Sequence, residues 1–228
     1  MCGYLSQRAG NNPTKSRGKK DAMKYPNITM GRVEAVWNKL GGEEGVEKFL
    51  SGKFVVQEPG RRWREENRVI YFDVTSDGTT GPQWIELLEK KDFRLSDYTK
   101  SVLRSPDFKP TSGVKYALAV LKGTLFTDSD RITRKIRAEA ERRKLEKPGA
   151  EVACLIREMF SDEELETMGL WWIVVFHESI RDSAGVPSLL SVDRVGAGRW
   201  LGACGAGPGV GWGSGLGFVF AVPQVSSS

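Results

Sequence analysis

The sequence predicts an α+β fold, with helices in the N-terminal two-thirds packed on a mixed or antiparallel sheet. Two observations carry this prediction. Ahead of residue 170, apolar residues recur at helical spacing, with capping residues before them. From Leu170 onward, short β-type segments alternate with turns that are too short for crossover connections. We therefore expect a C-terminal β-meander that completes the sheet.

Helices are predicted where residues that begin and end a helix flank the apolar periodicity. Residues 30–40 and 43–50 form a predicted helical pair, which should carry Trp37 and Phe49 into a core. Further helices are predicted to begin at Thr80 and to span residues 95–103, 131–147, 150–160 and 161–167. Capping boxes, formed by Thr80 with Gln83 and by Ser161 with Glu164, define two of these starts.

Strands are predicted from β-branched and aromatic content. Residues 69–75 are the clearest example, and residues 114–121 alternate less regularly. The C-terminal strands are predicted at residues 170–177, 188–192, 199–201 and 217–222. The first of these is apolar on both faces, as expected for a central strand covered on both sides. Residues 203–216 are rich in glycine, and we expect them to form a mobile loop.

Composition and patterning indicate one folded domain between two tails. The chain has 228 residues, of which 39% are hydrophobic and 28% charged, values typical of a globular protein. We expect a disordered basic tail over residues 1–28, a single domain over residues 29–222 and a disordered tail over residues 223–228. An alternative is that translation begins at Met30.

The cysteines and the histidine narrow the classes of site. Cys2, Cys154 and Cys204 are odd in number and widely spaced, which argues against a disulfide framework and favours a bacterial-type cytoplasm. With His177 as the only histidine, we expect no metal site, and nothing indicates a cofactor. The longest apolar run, seven residues, is far shorter than the roughly 20 that span a bilayer, so we expect no membrane partner.

Positive charge is concentrated in two segments. The net charge is +5, but residues 1–25 and 131–147 each carry +5, so the rest of the chain carries −5. In the second segment Ile132, Ile136 and Ala140 form an apolar stripe that would dock a helix and leave its cations outside. The predicted polyanion-binding residues are Arg131, Arg134, Lys135, Arg137, Arg142, Arg143 and, outside this segment, Arg181. The alternative is a salt-bridged solvated helix, because glutamates interleave with these cations.

The end of the most apolar strand is the one place where the sequence suggests a reaction. His177 follows residues 170–176, and Glu178, Arg181 and Asp182 come soon after. His177 would act as a general base oriented by Glu178 or Asp182, and Arg181 would hold an anionic substrate. The alternative is a locally bonded histidine at a strand end.

Residues 76–81 lie between a strand and a helix start, where free N–H groups can bind phosphate. The segment lacks the spacing of the known phosphate-binding loops, and the Thr80 cap already explains it.

Four strings carry a resemblance to other proteins. They are residues 38–45, 75–81 and 151–157, and His177-Glu178 through Asp182-Ser183. Together they resemble a group of short bacterial proteins, many from uncultured lineages, that carry no assigned function. The resemblance covers roughly residues 30–222 and implies one compact domain, without an activity, a cofactor or a catalytic residue.

Two hypotheses follow from these observations. The first is a non-enzymatic binding or regulatory protein that contacts nucleic acid or another polyanion through the basic helix at residues 131–147. The second is a small hydrolase or nuclease that uses His177 with Glu178 or Asp182. The first predicts salt-dependent binding, and the second predicts turnover that depends on the imidazole.

Overall fold

The computed structural model describes residues 28–54, 60–195 and 198–224. The chain divides into two compact units, Met1–Gly60 and Arg61–Ser228. The predicted disordered tails lie almost wholly outside the described residues. The single domain expected over residues 29–222 stays a prediction, and each unit is described by itself.

The described part of the first unit is a pair of helices, α1 (Met30–Leu40) and α2 (Gly42–Leu50). The left-handed backbone of Gly41, with φ of 90°, ends α1 where the sequence predicted a break. The expectation that Trp37 and Phe49 enter a core is wrong, since their side chains are 42% and 41% exposed. The only buried residue of either helix is Gly45, so the pair buries too little to enclose large side chains.

The described part of the second unit contains a single mixed sheet. Its strands are β1 (Arg64–Glu66), β2 (Val69–Asp77), β3 (Arg94–Leu95), β4 (Ser112–Lys122), β5 (Trp172–Val175), β6 (Ile180–Arg181), β7 (Pro187–Val195), β8 (Gly198–Gly205) and β9 (Leu216–Ala221). They are ordered β1-β2-β4-β9-β5-β7-β8-β3, and β6 pairs with β7. The pairs β5–β9 and β3–β8 are parallel, and the other pairs are antiparallel.

Five helices flank this sheet, which confirms the α+β prediction. They are α3 (Gly81–Lys90), α4 (Asp97–Arg104), α5 (Thr133–Arg142), α6 (Val152–Met159) and α7 (Asp162–Thr167). Both predicted capping boxes form. The Thr80 N–H donates to Oε1 of Gln83 at 2.9 Å, and the Ser161 N–H donates to Oε2 of Glu164 at 2.9 Å. No helix in the described ranges is long and apolar enough to cross a membrane.

Two hydrophobic clusters pack on the sheet. The larger contains Trp84 of α3, Leu103 of α4 and Ile156 of α6, together with Ile173 of β5. The smaller contains Ile136 and Ala140 of α5 with Val174 of β5, Phe218 of β9 and Phe176, which follows β5. Adjacent residues of β5 therefore enter different clusters, as predicted for a central strand.

The last strand does not continue the expected meander. β7 and β8 form an antiparallel hairpin, whereas β9 returns to the middle of the sheet and lies between β4 and β5. The glycine-rich segment connects β8 to β9. Gly123 permits its close passage, because a Cβ atom there would lie only 2.7 Å from the carbonyl oxygen of Gly213.

The glycine-rich segment is held by hydrogen bonds, although we expected a mobile loop over residues 203–216. Residues 203–205 belong to β8. Beyond them, the carbonyl oxygens of Pro208 and Val210 accept from the first N–H groups of α5, each at 3.0 Å, and the Trp212 N–H donates to the Arg131 carbonyl at 2.9 Å. The segment therefore caps α5 and positions its first turn.

The basic helix is shorter than predicted. α5 spans Thr133–Arg142 rather than residues 131–147. Lys144 adopts a left-handed backbone with φ of 59°, and the Leu145 N–H turns back to the Ala140 carbonyl at 2.9 Å. Residues 143–147 therefore leave the helix, and Glu146 pairs with Ala221 of β9.

Candidate functional site

His177 lies in the core, where its side chain is 1% exposed. The Leu190 N–H of β7 donates to Nε2 at 2.9 Å, so the imidazole proton is on Nδ1. That nitrogen donates to the Glu178 carbonyl oxygen at 2.6 Å. Both ring nitrogens are therefore committed to the backbone.

The environment keeps this imidazole neutral. Burial lowers the pKa of His177 from its ordinary 6.5 to about 4, and the positive charge of Arg137 also lowers it. The hydrogen bond to Glu178 opposes this shift without reversing it. A neutral histidine with both nitrogens occupied has no free atom with which to take a proton from a substrate.

The predicted catalytic group of His177, Glu178 and Asp182 is not assembled. Glu178 points its exposed carboxylate to Lys147. Asp182 stabilises a turn, since its carboxylate accepts from the N–H groups of Ala184 and Val186 at 2.9 and 3.0 Å. The sequence could not exclude the triad, because the tight turn after β6 and the return strand β7 decide where these side chains point.

Two of the predicted polyanion-binding arginines are used structurally. Arg131 is 8% exposed, and its guanidinium donates to the carbonyl oxygens of Gly123 and Phe126, both at 3.0 Å. Arg181 donates to the Gly185 carbonyl oxygen at 2.7 Å within the turn. The backbone of residues 123–126 therefore occupies the Arg131 guanidinium, and a role of this residue in polyanion binding stays a prediction.

Three further predicted polyanion-binding residues form ion pairs. Lys135 pairs with Asp130. Arg142 binds the Glu139 carboxylate through two hydrogen bonds of 2.7 Å, and Arg143 adds one of 2.6 Å. These hydrogen bonds, that of Arg142 first, lower the pKa of Glu139 from 4.5 to about 2. An incoming anion would compete with a carboxylate at each of these cations.

Arg134 and Arg137 differ from the other cations of α5. Neither forms an ion pair with a residue that the structure describes. Both line a cavity of about 440 Å³, together with Glu141 of the same helix and with Ser179, Ala206 and Pro208. The Arg137 guanidinium also lies 5.7 Å from the centre of the Phe176 ring. These two arginines are the part of the predicted surface where positive charge stays available.

The turn at residues 76–81 has little left for phosphate. The Asp77 carboxylate accepts from the Thr79 N–H at 2.9 Å, and the Gly78 N–H donates to the Thr111 carbonyl at 2.9 Å. The hydrogen bonds from Thr79 hold the pKa of Asp77 below its ordinary value. With the Thr80 N–H bound to Gln83, three successive N–H groups of the turn already have partners, and the capping interpretation accounts for this turn.

A groove lined by tryptophans was not predicted. Trp171, Trp172 and Trp212 line a cavity of about 540 Å³ with Arg194 and Leu216. The available signal was the Trp171-Trp172 pair, which the sequence assigned to a strand beginning at residue 170. Because β5 begins at Trp172, Trp171 lies outside it and is exposed.

Asp193 was also not predicted, because a single polar residue in a strand carries no signal of a site. Burial raises the pKa of its carboxyl from 3.8 to about 6, although a hydrogen bond from Ser191 and the charge of Arg157 lower it. Oδ1 of this residue is buried without a hydrogen-bond partner in the described part of the chain. Near Asp193, burial raises the pKa of the Cys204 thiol to about 12, which keeps it protonated.

Neither a group of metal ligands nor a comparison with known proteins identifies the class of this protein. Among the described residues, no three His, Cys, Asp or Glu side chains are grouped as metal ligands. No protein-family model, no curated protein and no solved structure matches the chain. The resemblance to short bacterial proteins therefore stays a prediction.

Proposed function

We propose that this protein is a non-enzymatic binding or regulatory protein that contacts nucleic acid or another polyanion through α5. The observation that carries the proposal is the pair Arg134 and Arg137. Neither forms an ion pair with a described residue, and both line the same cavity beside Ser179. Two unpaired guanidiniums on one helix suit the spaced negative charges of a phosphate chain.

How much each cation contributes to polyanion binding should depend on whether it is already paired with a carboxylate. A phosphate that reaches Arg134 displaces water and counterions, whereas one that reaches Arg142 must also displace the Glu139 carboxylate. Arg137 has a second role, because its guanidinium covers Phe176. Arg134 is exposed and has no second role of this kind among the described residues, so its substitution is the most direct test of the proposal.

The geometry of His177 does not support the second hypothesis, a hydrolase or nuclease that uses this residue. The predicted mechanism uses His177 as a base with a free lone pair, and both of its nitrogens are hydrogen-bonded to the backbone. A reducing bacterial-type cytoplasm is part of the proposal. It is supported by Cys154 and Cys204, which are both free thiols.

The test is a salt series of fluorescence anisotropy titrations with a labelled oligonucleotide. We expect the logarithm of the affinity to fall linearly with the logarithm of the salt concentration. Arg134→Gln should weaken binding and reduce that slope by about one unit. Lys135→Gln is the matched control, since this neighbouring cation is already paired with Asp130 and should matter less.

Absence of binding at low salt would remove the proposal. Equal losses in Arg134→Gln and Lys135→Gln would also count against it, because binding would then reflect net charge alone.

A further inference from the structure

Trp171 is held in place without being buried. Its side chain is 62% exposed, while its backbone N–H donates to the Gly215 carbonyl oxygen at 2.8 Å. The Arg194 guanidinium lies 5.2 Å from the indole centre and pairs with Glu166 at 2.9 Å. Gly215 leaves room for the ring, since a Cβ atom there would lie 2.7 Å from Cδ1. The result is a positioned indole with most of its surface open to solvent.

Trp171 is part of a groove and is not an isolated exposed side chain. Trp172 and Trp212 line the same cavity of about 540 Å³, and both are half-buried. Indoles combine a large apolar face with low side-chain flexibility, so a groove made from three of them suits a flat ring that can stack.

Trp212 connects this groove to the cationic surface of α5. Its Nε1 donates to Oγ1 of Thr133 at 3.0 Å, and Arg134 is the next residue along the helix. The glycine-rich segment contributes to both places. Ala206 and Pro208 line the cavity with Arg134 and Arg137, whereas Gly211, Trp212 and Gly213 line the tryptophan groove. A cationic cavity and an aromatic groove therefore lie along one short piece of chain.

We infer that the occupant of this combined surface is single-stranded nucleic acid, with a base stacked on Trp171 and phosphates further along the strand at Arg134 and Arg137. This inference rests on the proposed function and specifies its ligand. Phosphate chains without bases have nothing to place in an apolar groove. A duplex hides the faces of its bases inside the stack, so only an unpaired strand presents both a charged backbone and open base faces.

The experiment compares three probes on the full chain: single-stranded oligothymidylate, a duplex of the same length and inorganic polyphosphate. We expect the single strand to bind most tightly. Trp171→Ala should weaken single-strand binding roughly 10-fold or more, with no change in the salt slope or in polyphosphate binding. Trp171→Phe should recover most of the loss, because a phenyl ring also stacks.

Trp37→Ala is the matched control, since it removes an exposed indole of the first unit. A near-ultraviolet circular dichroism spectrum establishes that each variant is folded. Equal affinity for all three probes, or unchanged single-strand binding by Trp171→Ala, overturns the inference and leaves the proposed function intact.

A neutral nucleoside separates the two failures. Thymidine carries no phosphate, so its binding does not depend on Arg134 or Arg137. Quenching of tryptophan fluorescence by thymidine in the wild type, but not in Trp171→Ala, supports the groove even if no polyanion binds. If thymidine does not quench the fluorescence and no polyanion binds, the inference and the proposed function are both overturned.

Discussion

His177 shows how one residue changes role between the sequence and the fold. In the sequence it is the one candidate base, but in the structure it joins the end of β5 to β7 through the Leu190 N–H. A buried imidazole that accepts one backbone hydrogen bond and donates another satisfies groups that would otherwise lie unpaired in the core. Its contribution is to stability.

This role predicts a pH dependence. The pKa of His177 is about 4 in the folded chain and near 6.5 when it is exposed, so the unfolded chain binds more protons between these values. Stability is therefore retained above pH 6.5 and falls as the pH drops toward 4, by up to about 3 kcal/mol. His177→Gln should destabilise the protein at pH 7 and flatten this dependence, as measured by urea unfolding at several pH values. An unchanged pH profile would contradict the assignment.

Asp193 predicts a dependence of the opposite sign. Its pKa of about 6 lies above the ordinary 3.8, so the folded chain binds more protons between these values and stability falls as the pH rises through them. Asp193→Asn should remove this fall and raise the free energy of unfolding at pH 7 by about 1–2 kcal/mol. Asp73→Asn is the control, because Asp73 is half-exposed and paired with Lys115. A destabilised Asp193→Asn at pH 7 would show that the carboxylate is favourably solvated.

At the level of elements, α5 and the glycine-rich segment depend on each other. The segment supplies carbonyl acceptors to the first turn of α5, and its passage over Gly123 places those acceptors. Local signals could not reveal this, because alternating glycines carry no apolar pattern. The capping boxes at Thr80 and Ser161 were predictable, since each involves residues only three positions apart.

Gly123→Ala tests this dependence. The added Cβ would approach the carbonyl oxygens of Gly213 and Ser214 to 2.7 and 2.8 Å, which displaces the segment and should destabilise the protein by about 1–3 kcal/mol. Gly209→Ala is the matched control in the same segment, since nothing lies within 4 Å of its Cβ position. Thermal unfolding compares the two variants. Equal stability in both would show that the segment is not held at Gly123.

The short strands mark the limit of prediction for single elements. β1, β3 and β6 have two or three residues each and no apolar alternation, and they are strands only because a neighbouring strand pairs with them. The end of α5 was missed for a similar reason. The left-handed backbone at Lys144 accompanies the pairing of Glu146 with β9, a contact between residues distant in sequence.

In the whole of the second unit, the position of β9 decides the integrity of the sheet. Residues 216–221 pair with β4 on one side and with β5 on the other, and Phe218 lies in the core beneath α5. Without this strand, β4 and β5 would each present an unpaired edge and lose part of the core.

Truncation tests this architecture. Removal of residues 216–228 should abolish cooperative unfolding, as followed by circular dichroism during heating. Removal of residues 225–228 is the control, because it leaves β9 and the bond from Gln224 Nε2 to the Lys115 carbonyl in place. A cooperative transition in the longer truncation would refute the central role of β9.

The sequence by itself determined the fold class, the buried central strand, the capped helix starts and the concentration of charge near α5. These follow from patterns that repeat over a few residues, which is the range of a helix turn or a strand pleat. Only the tertiary structure decided which polar atoms remain free. The imidazole of His177 and the guanidinium of Arg131 are hydrogen-bonded to backbone groups that packing brings to them, whereas Arg134, Arg137 and Trp171 stay accessible. The partner of a polar atom depends on long-range packing, which local patterns do not encode.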